Sequence, residues 1–244
     1  MYQAERQHQT RTPNSSRDSA HPTEPDSDRT MRQSAIDFRS KRLTLEGILS
    51  TPTEAGPYLP AVAVCHPHPM LGGDMNSPIV TAVCRAASDE GFATLRFNFR
   101  GVGESEGEFS NGKDEHNDVK SALNVLARWP GIDRKRIGVV GYSAGASILL
   151  DGIRHVKRAS AIVLIAPTLA SLRNRRFIKD KRPRLVIVGS EDRVAPSIQI
   201  QNILDECRGP VQFRELRGAD HSMRGHESEI GRAVAEFLVQ SLQS

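Results

Sequence analysis

From Arg42 onward, short apolar runs alternate with stretches patterned as helices, and this alternation restricts the fold more than any other feature of the chain. A-V-A-V-C (61–65), R-I-G-V-V (136–140), A-I-V-L-I (161–165) and R-L-V-I-V (184–188) are nearly continuous apolar runs. Such runs suit strands covered on both faces, as in a parallel sheet. L-T-L-E-G-I-L (43–49), with Gly47 as a candidate bulge, F-A-T-L-R-F-N-F (92–99) and V-Q-F-R-E-L (211–216) are further expected strands. Helices are expected from Pro78, capped by Ser77, to about Glu90, and from Asp114 to the Pro130-Gly131 stop. Three more are expected over about 144–155, 196–207 and 225–242. Strands that alternate with helices are joined by right-handed crossovers. The expected fold class is therefore α/β, a mostly parallel central sheet with helices on both faces.

A chain of 244 residues is long enough for one such domain, assigned here to 36–244. Before Ile36 there is no Leu, Ile, Val, Phe or Trp. A segment so poor in apolar side chains cannot offset its ordering entropy, so 1–35 is expected to be a disordered polar tail. It lacks the apolar centre of a secretory signal. No run approaches the roughly 18–20 apolar residues of a membrane span. Cys65, Cys84 and Cys207 have neither zinc nor disulfide spacing, and a reducing cytoplasm is the expected location.

The net charge of +4 is local: Arg173 to Arg184 carries seven basic residues and one acid. A solvated surface loop is one reading, and attraction of an anionic substrate to the site mouth is the other. The segment lacks the aromatic interleaving that single-stranded nucleic acid favours, so no nucleic-acid partner is expected.

Ligands on parallel sheets sit at the carboxyl ends of strands, so the residues just after each strand carry the functional reading. Strand 136–140 is followed by Gly141-Tyr142-Ser143-Ala144-Gly145, a G-x-S-x-G between strand and helix. A serine on such a turn is pushed out of the sheet with a helix N-terminus behind it. Asp192 follows strand 184–188 and His221 follows strand 211–216, giving the chain order serine, acid, histidine. Ser143 is the expected nucleophile, His221 its base and Asp192 the group that orients the base. Glu191 and Asp220 are rival acids, and His226 is a rival base.

H-P-H-P-M-L-G-G (66–73) follows strand 61–65. Two histidines suggest a metal, but no third ligand has diagnostic spacing unless Asp74 serves. The alternative is a shaped loop that supplies one N–H of an oxyanion hole, with Ala144 N–H as the other. Pro67 and Pro69 have no N–H. That leaves His66, His68 or Met70, and His68 is favoured because its neighbours fix its direction. His66 is expected to make a structural hydrogen bond. R-G-V-G-E-S (100–105) lacks a P-loop lysine and is read as a shaped turn with Arg100 buried in hydrogen bonds.

H-P-H-P-x-x-G-G, T-L-R-F-N-F-R-G-V-G-E-S-E-G, G-Y-S-A-G, G-S-E-D-R-V-A-P and G-A-D-H together resemble the α/β-hydrolase superfamily. The resemblance covers about Leu43 to Leu242. It is strongest to the small cap-less branch related to dienelactone hydrolases and carboxylesterases. Dienelactone hydrolases carry a cysteine at the elbow, where this chain has Ser143. The resemblance implies a Ser143–Asp192–His221 triad and oxyanion donors at Ala144 and in the His66–Met70 loop; no cofactor or metal is expected. The gap 167–183 is too short for a cap domain, so the site is expected to be open. Met70, Leu71, Tyr142 and Met223 are expected to shape its substrate pocket. The function so implied is serine esterase chemistry on a small-molecule ester. Thioester or peptide cleavage, or a non-enzymatic scaffold binding a partner through its tail and basic loop, are the alternatives. Dimerisation is left open.

Overall fold

The computed structural model describes residues 31–53, 56 and 58–243. Among these residues, eight strands form one sheet: β1 (Met31–Ser40), β2 (Leu43–Pro52), β3 (Leu59–Cys65), β4 (Ala93–Phe97), β5 (Ile132–Tyr142), β6 (Ala161–Ile165), β7 (Arg184–Gly189) and β8 (Val211–Leu216). Their order is β1-β2-β4-β3-β5-β6-β7-β8. The β1–β2 and β2–β4 pairs are antiparallel, and every pair from β4 to β8 is parallel. Among the described residues, seven α-helices accompany the sheet: α1 (Pro78–Asp89), α2 (His116–Arg128), α3 (Ala144–Asp151), α4 (Leu169–Leu172), α5 (Arg175–Lys179), α6 (Ser197–Leu204) and α7 (Glu227–Leu242).

The continuous apolar runs behave as sheets covered on both faces require. In β3, Ala61, Ala63 and Cys65 point into a core with α2, α3 and α6. Val62 and Val64 point into a second core with α1 and α7. In β7, Val186 and Val188 likewise face the first, and Leu185 and Ile187 the second. This period of two splits each run between the layers.

Three local differences from the sequence reading have physical causes. The boundary expected at residue 35 falls inside β1, which starts at Met31 and pairs with β2 along its whole length. This edge strand is held by backbone pairing with few buried side chains, so its sequence is polar. The remainder of the expected tail, residues 1–30, lies outside the described residues. Register runs unbroken through Gly47, opposite Ile36 and Phe97, so Gly47 is not a bulge. A Cβ there would lie 3.0 Å from the Arg96 carbonyl oxygen, so the glycine serves close approach. The irregularity falls between Leu59 and Ala61, around Pro60, which has no N–H to give the ladder.

The segment between β6 and β7 holds only the short helices α4 and α5, capped by the side chains of Thr168 and Asn174. No cap domain is inserted there.

Candidate active site

Strand order places the ends of β3, β5 and β7 along one edge of the sheet, with β5 next to β3. Ser143 follows β5 with φ 51° and ψ −109°, a conformation that costs a non-glycine residue of order 1–3 kcal/mol. The flanking glycines hold it there. A Cβ on Gly141 would lie 2.7 Å from backbone atoms of Ala146, and one on Gly145 would lie 2.7 Å from the carbonyl oxygens of Cys65 and His66. Strand, helix and the 66–73 loop are thus locked against one another. The Ser143 N–H donates to the Ile165 carbonyl at 2.8 Å.

Ser143 Oγ lies 3.0 Å from His221 Nε2, and His221 Nδ1 lies 2.8 Å from Asp192 Oδ2. The other oxygen, Asp192 Oδ1, accepts the Val194 and Ala195 N–H groups at 2.8 Å each. Asp192 is buried, and burial opposes its ionisation. The hydrogen bonds from His221, Ala195 and Val194 outweigh that penalty and hold its carboxyl below the usual range. The rivals are engaged elsewhere. Asp220 accepts from Ser222 N–H at 2.8 Å and Ser222 Oγ at 2.6 Å. His226 Nδ1 faces Glu229 at 3.2 Å. Glu191 borders the cleft without bonding His221.

The H-P-H-P loop is a framed turn. His66 is fully buried: its Nδ1 lies 2.7 Å from the Pro67 carbonyl and its Nε2 accepts the Phe99 N–H at 3.1 Å. Burial pushes its pKa down to about 4, so the ring is neutral and both nitrogens are committed. His68 Nδ1 accepts the Met70 N–H at 3.2 Å, and the His68 carbonyl accepts from Leu71 and Gly73. Met70 N–H is therefore spent. Among the described residues, the N–H groups of His68 and Ala144 have no acceptor. Arg100 is buried, with its Nε and Nη2 on Asp118 at 2.9 and 2.7 Å, as its place after β4 suggested.

Ser143, His221, Asp192, His68, Leu71 and Tyr142 all border one open cleft of about 1320 Å³. Two expected pocket residues do not. Met223 has φ 55°, which turns its side chain into the α1–α7 core, where it is fully buried. Met70 is 83% exposed on the 3-10 turn and stands outside the cleft. Tyr142 borders the cleft but is buried, and its hydroxyl donates to the Ser222 carbonyl at 2.9 Å. The basic segment is not at the mouth. Arg173 and Arg175 border a separate depression with Gln199 and Glu206. Arg182 is paired with Asp180, and Arg184 is buried over the Phe177 ring at 4.9 Å. Arg193, Val194 and Arg224 do border the cleft, and their positions just after β7 and β8 were the signal that could have found them.

An open cleft at the strand ends of a cap-less sheet, with a strained serine beside a histidine, defines an α/β hydrolase. Residues 104–236, more than half of the sequence, match the dienelactone hydrolase family, and the chain belongs to it. An alpha-beta serine hydrolase homologue from Coxiella burnetii is 29% identical in sequence, with a TM-score of 0.71 over 83% of this chain and 96% of that one. A serine hydrolase without lid from Xanthomonas campestris is 23% identical, with a TM-score of 0.74 over 92% and 99%, and shares the fold. An uncharacterised protein of Rickettsia prowazekii is 26% identical over 212 residues, 84% of this chain and 88% of its own. The protein is a hydrolase. No helix among the described residues is long and apolar enough to cross a membrane.

Proposed function

We propose that the protein is a serine esterase that cleaves small-molecule carboxylic esters through an acyl-enzyme. The observation that carries this reading is the chain of contacts from Ser143 Oγ to His221 Nε2 at 3.0 Å and from His221 Nδ1 to Asp192 at 2.8 Å. Ser143 Oγ attacks the ester carbonyl carbon while His221 Nε2 takes its proton. Asp192 keeps the proton on Nδ1 and stabilises the imidazolium that forms. The oxyanion of the tetrahedral intermediate is met by the free N–H groups of Ala144 and His68. Collapse expels the alcohol with the proton from His221. Water then attacks the acyl-enzyme with His221 again as base, releasing the acid and restoring Ser143.

Domain and location follow as parts of the same reading. The described residues from Met31 onward form the catalytic domain. Cys65, Cys84 and Cys207 are free thiols, which fits a reducing cytoplasm.

The test is labelling with a fluorophosphonate, which reports an activated serine without the natural substrate. A mass adduct on Ser143 that disappears in Ser143→Ala and His221→Ala supports the reading. No adduct on folded protein moves a non-enzymatic binding role to the front. After labelling succeeds, parallel ester, thioester and amide panels separate esterase from thioesterase and peptidase.

A further inference from the structure

Among the described residues, five large apolar side chains stand exposed: Tyr58, Met70, Leu71, Val194 and Ile198. Two of them line one cleft, and two more stand close to these along the chain. Leu71 and Val194 border the cleft that holds Ser143 and His221. Met70 precedes Leu71 on the 3-10 turn after β3, and Ile198 lies at the start of α6, just beyond Val194. The sheet runs β3-β5-β6-β7, so these two apolar pairs leave loops on either side of the Ser143 turn.

Folding does not account for Met70 and Leu71. They are 83% and 88% exposed, and the turn that carries them buries none of its residues. Yet the turn is firmly built. His68 Nδ1 holds the Met70 N–H at 3.2 Å. The Gly72 N–H bonds the Pro69 carbonyl at 2.9 Å. A Cβ on Gly73 would lie 2.5 Å from the Pro67 carbonyl oxygen. A rigid turn thus presents two large apolar side chains to solvent beside a reactive serine. Scattered exposed apolar residues need no explanation, but a group that rims a site marks a binding surface.

We infer that this rim binds the apolar part of the substrate: the preferred ester carries an extended hydrocarbon acyl or alkoxy group that lies across the cleft mouth. The inference rests on the esterase reading and narrows its substrate class. Glu191, Arg193 and Arg224 also border the cleft, so the apolar contact is a rim and not a closed tunnel. Each methylene covered is worth up to about fourfold in kcat/KM, and the gain levels off once the chain spans the rim.

The experiment uses alkyl fluorophosphonates of increasing chain length, and p-nitrophenyl acyl esters and n-alkyl acetates kept below micelle-forming concentrations. The proteins compared are wild type, Met70→Ser/Leu71→Ser, Val194→Ser/Ile198→Ser, and Tyr58→Ser as the control for an exposed apolar residue away from the site. The expected result is a wild-type rate that rises with chain length, a slope flattened by at least one rim pair, and a wild-type slope in Tyr58→Ser. Ser143 labelling with no dependence on chain length overturns the inference and leaves the esterase reading standing. So does a slope that neither rim pair alters. A rim pair that converts a sedimenting dimer to monomer without changing the slope makes the rim a self-association surface, and also overturns it. No labelling by any probe defeats the esterase reading itself.

Discussion

His66 Nε2 accepts the backbone N–H of Phe99 at 3.1 Å, tying the loop after β3 to the residues after β4. Its Nδ1 lies 2.7 Å from the Pro67 carbonyl, so the ring stitches two strand-end loops in its neutral form. Protonation of Nε2 would destroy the bond to Phe99.

The first prediction follows from that ring. Burial lowers the His66 pKa from 6.5 to about 4 in the folded protein. Between these values the unfolded chain binds the proton and the folded one does not, so stability rises with pH across the window. It is fully present above about pH 6.5 and is lost progressively as pH falls toward 4, with a slope of at most about 1.4 kcal/mol per pH unit from this group. Urea unfolding at pH 7, 6 and 5 should show wild type losing stability more steeply than His66→Gln, which does not titrate. Equal slopes would mean the ring is not held neutral.

Much of this was legible in the sequence, and the boundary between what was and was not is physical. Ser143, Asp192 and His221 lie directly after strands that the apolar runs announce, so topology alone brings them to one edge. Arg100 and His66 were readable because a large polar residue at the end of a buried strand needs partners. Met223 was not readable. One residue at φ 55° turns it from cleft to core, and no periodicity reports a single left-handed residue in a loop. The strand over 31–35 escaped for a related reason: an edge strand held by backbone bonds needs no apolar pattern. The position of the basic segment depended on how α4 and α5 fold against α3 and α6, which charge counting does not encode.

Asp118 is fully buried, and its carboxylate takes Ser40 Oγ at 2.5 Å together with the Arg100 backbone N–H, Nε and Nη2. The pair joins β1, α2 and the turn after β4. Asp118→Ala leaves the Arg100 guanidinium buried without its main counter-charge, a loss of about 3–5 kcal/mol. The unfolding free energy from guanidinium chloride titration should fall by that amount, far more than for Lys41→Ala. Lys41 pairs with Asp114 at an exposed site, where about 0–1 kcal/mol is expected. Comparable losses in the two variants would contradict the burial argument.

Tyr142 Oη donates to the Ser222 carbonyl at 2.9 Å, beside the His221 carbonyl at 3.4 Å. The tyrosine therefore steadies the loop that carries His221 without touching the reacting atoms. Tyr142→Phe keeps the packed ring and removes only this tie. The expected effect is a fall in kcat of about three- to thirtyfold, from misplacement of the base, with KM little changed. A fall in thermal stability with unaltered kcat would reduce the hydroxyl to a purely structural role.

Asp192→Asn tests the orienting carboxylate on the esterase reading. The asparagine still accepts from the Val194 and Ala195 amides, so the loop is expected to fold. It cannot enforce the Nδ1–H tautomer of His221 as a carboxylate does, and kcat is expected to fall on the order of 10⁴-fold. Glu191→Gln and Asp220→Asn, altering the two neighbouring acids that do not bond His221, should each cost far less. Steady-state hydrolysis of an activated ester by all three variants decides it. A larger loss in either neighbour would reassign the acid.

The last prediction concerns the backbone beneath the serine. At φ 51° and ψ −109°, Ser143 sits where a Cβ is strained, and Gly141 and Gly145 have no room to let it relax. Ser143→Ala removes the hydroxyl and keeps the strain. Ser143→Gly removes both, against an added backbone entropy cost of about 0.5–1 kcal/mol for glycine. With strain of order 1–3 kcal/mol, the balance favours glycine. Ser143→Gly should therefore be more stable than Ser143→Ala in denaturant titration, by about 1 kcal/mol, although both lose the nucleophile. At an unstrained helical serine such as Ser147, within α3, the order should reverse, because glycine there costs about 1 kcal/mol relative to alanine. A Ser143 pair that followed the ordinary helical order would show that the turn carries no strain.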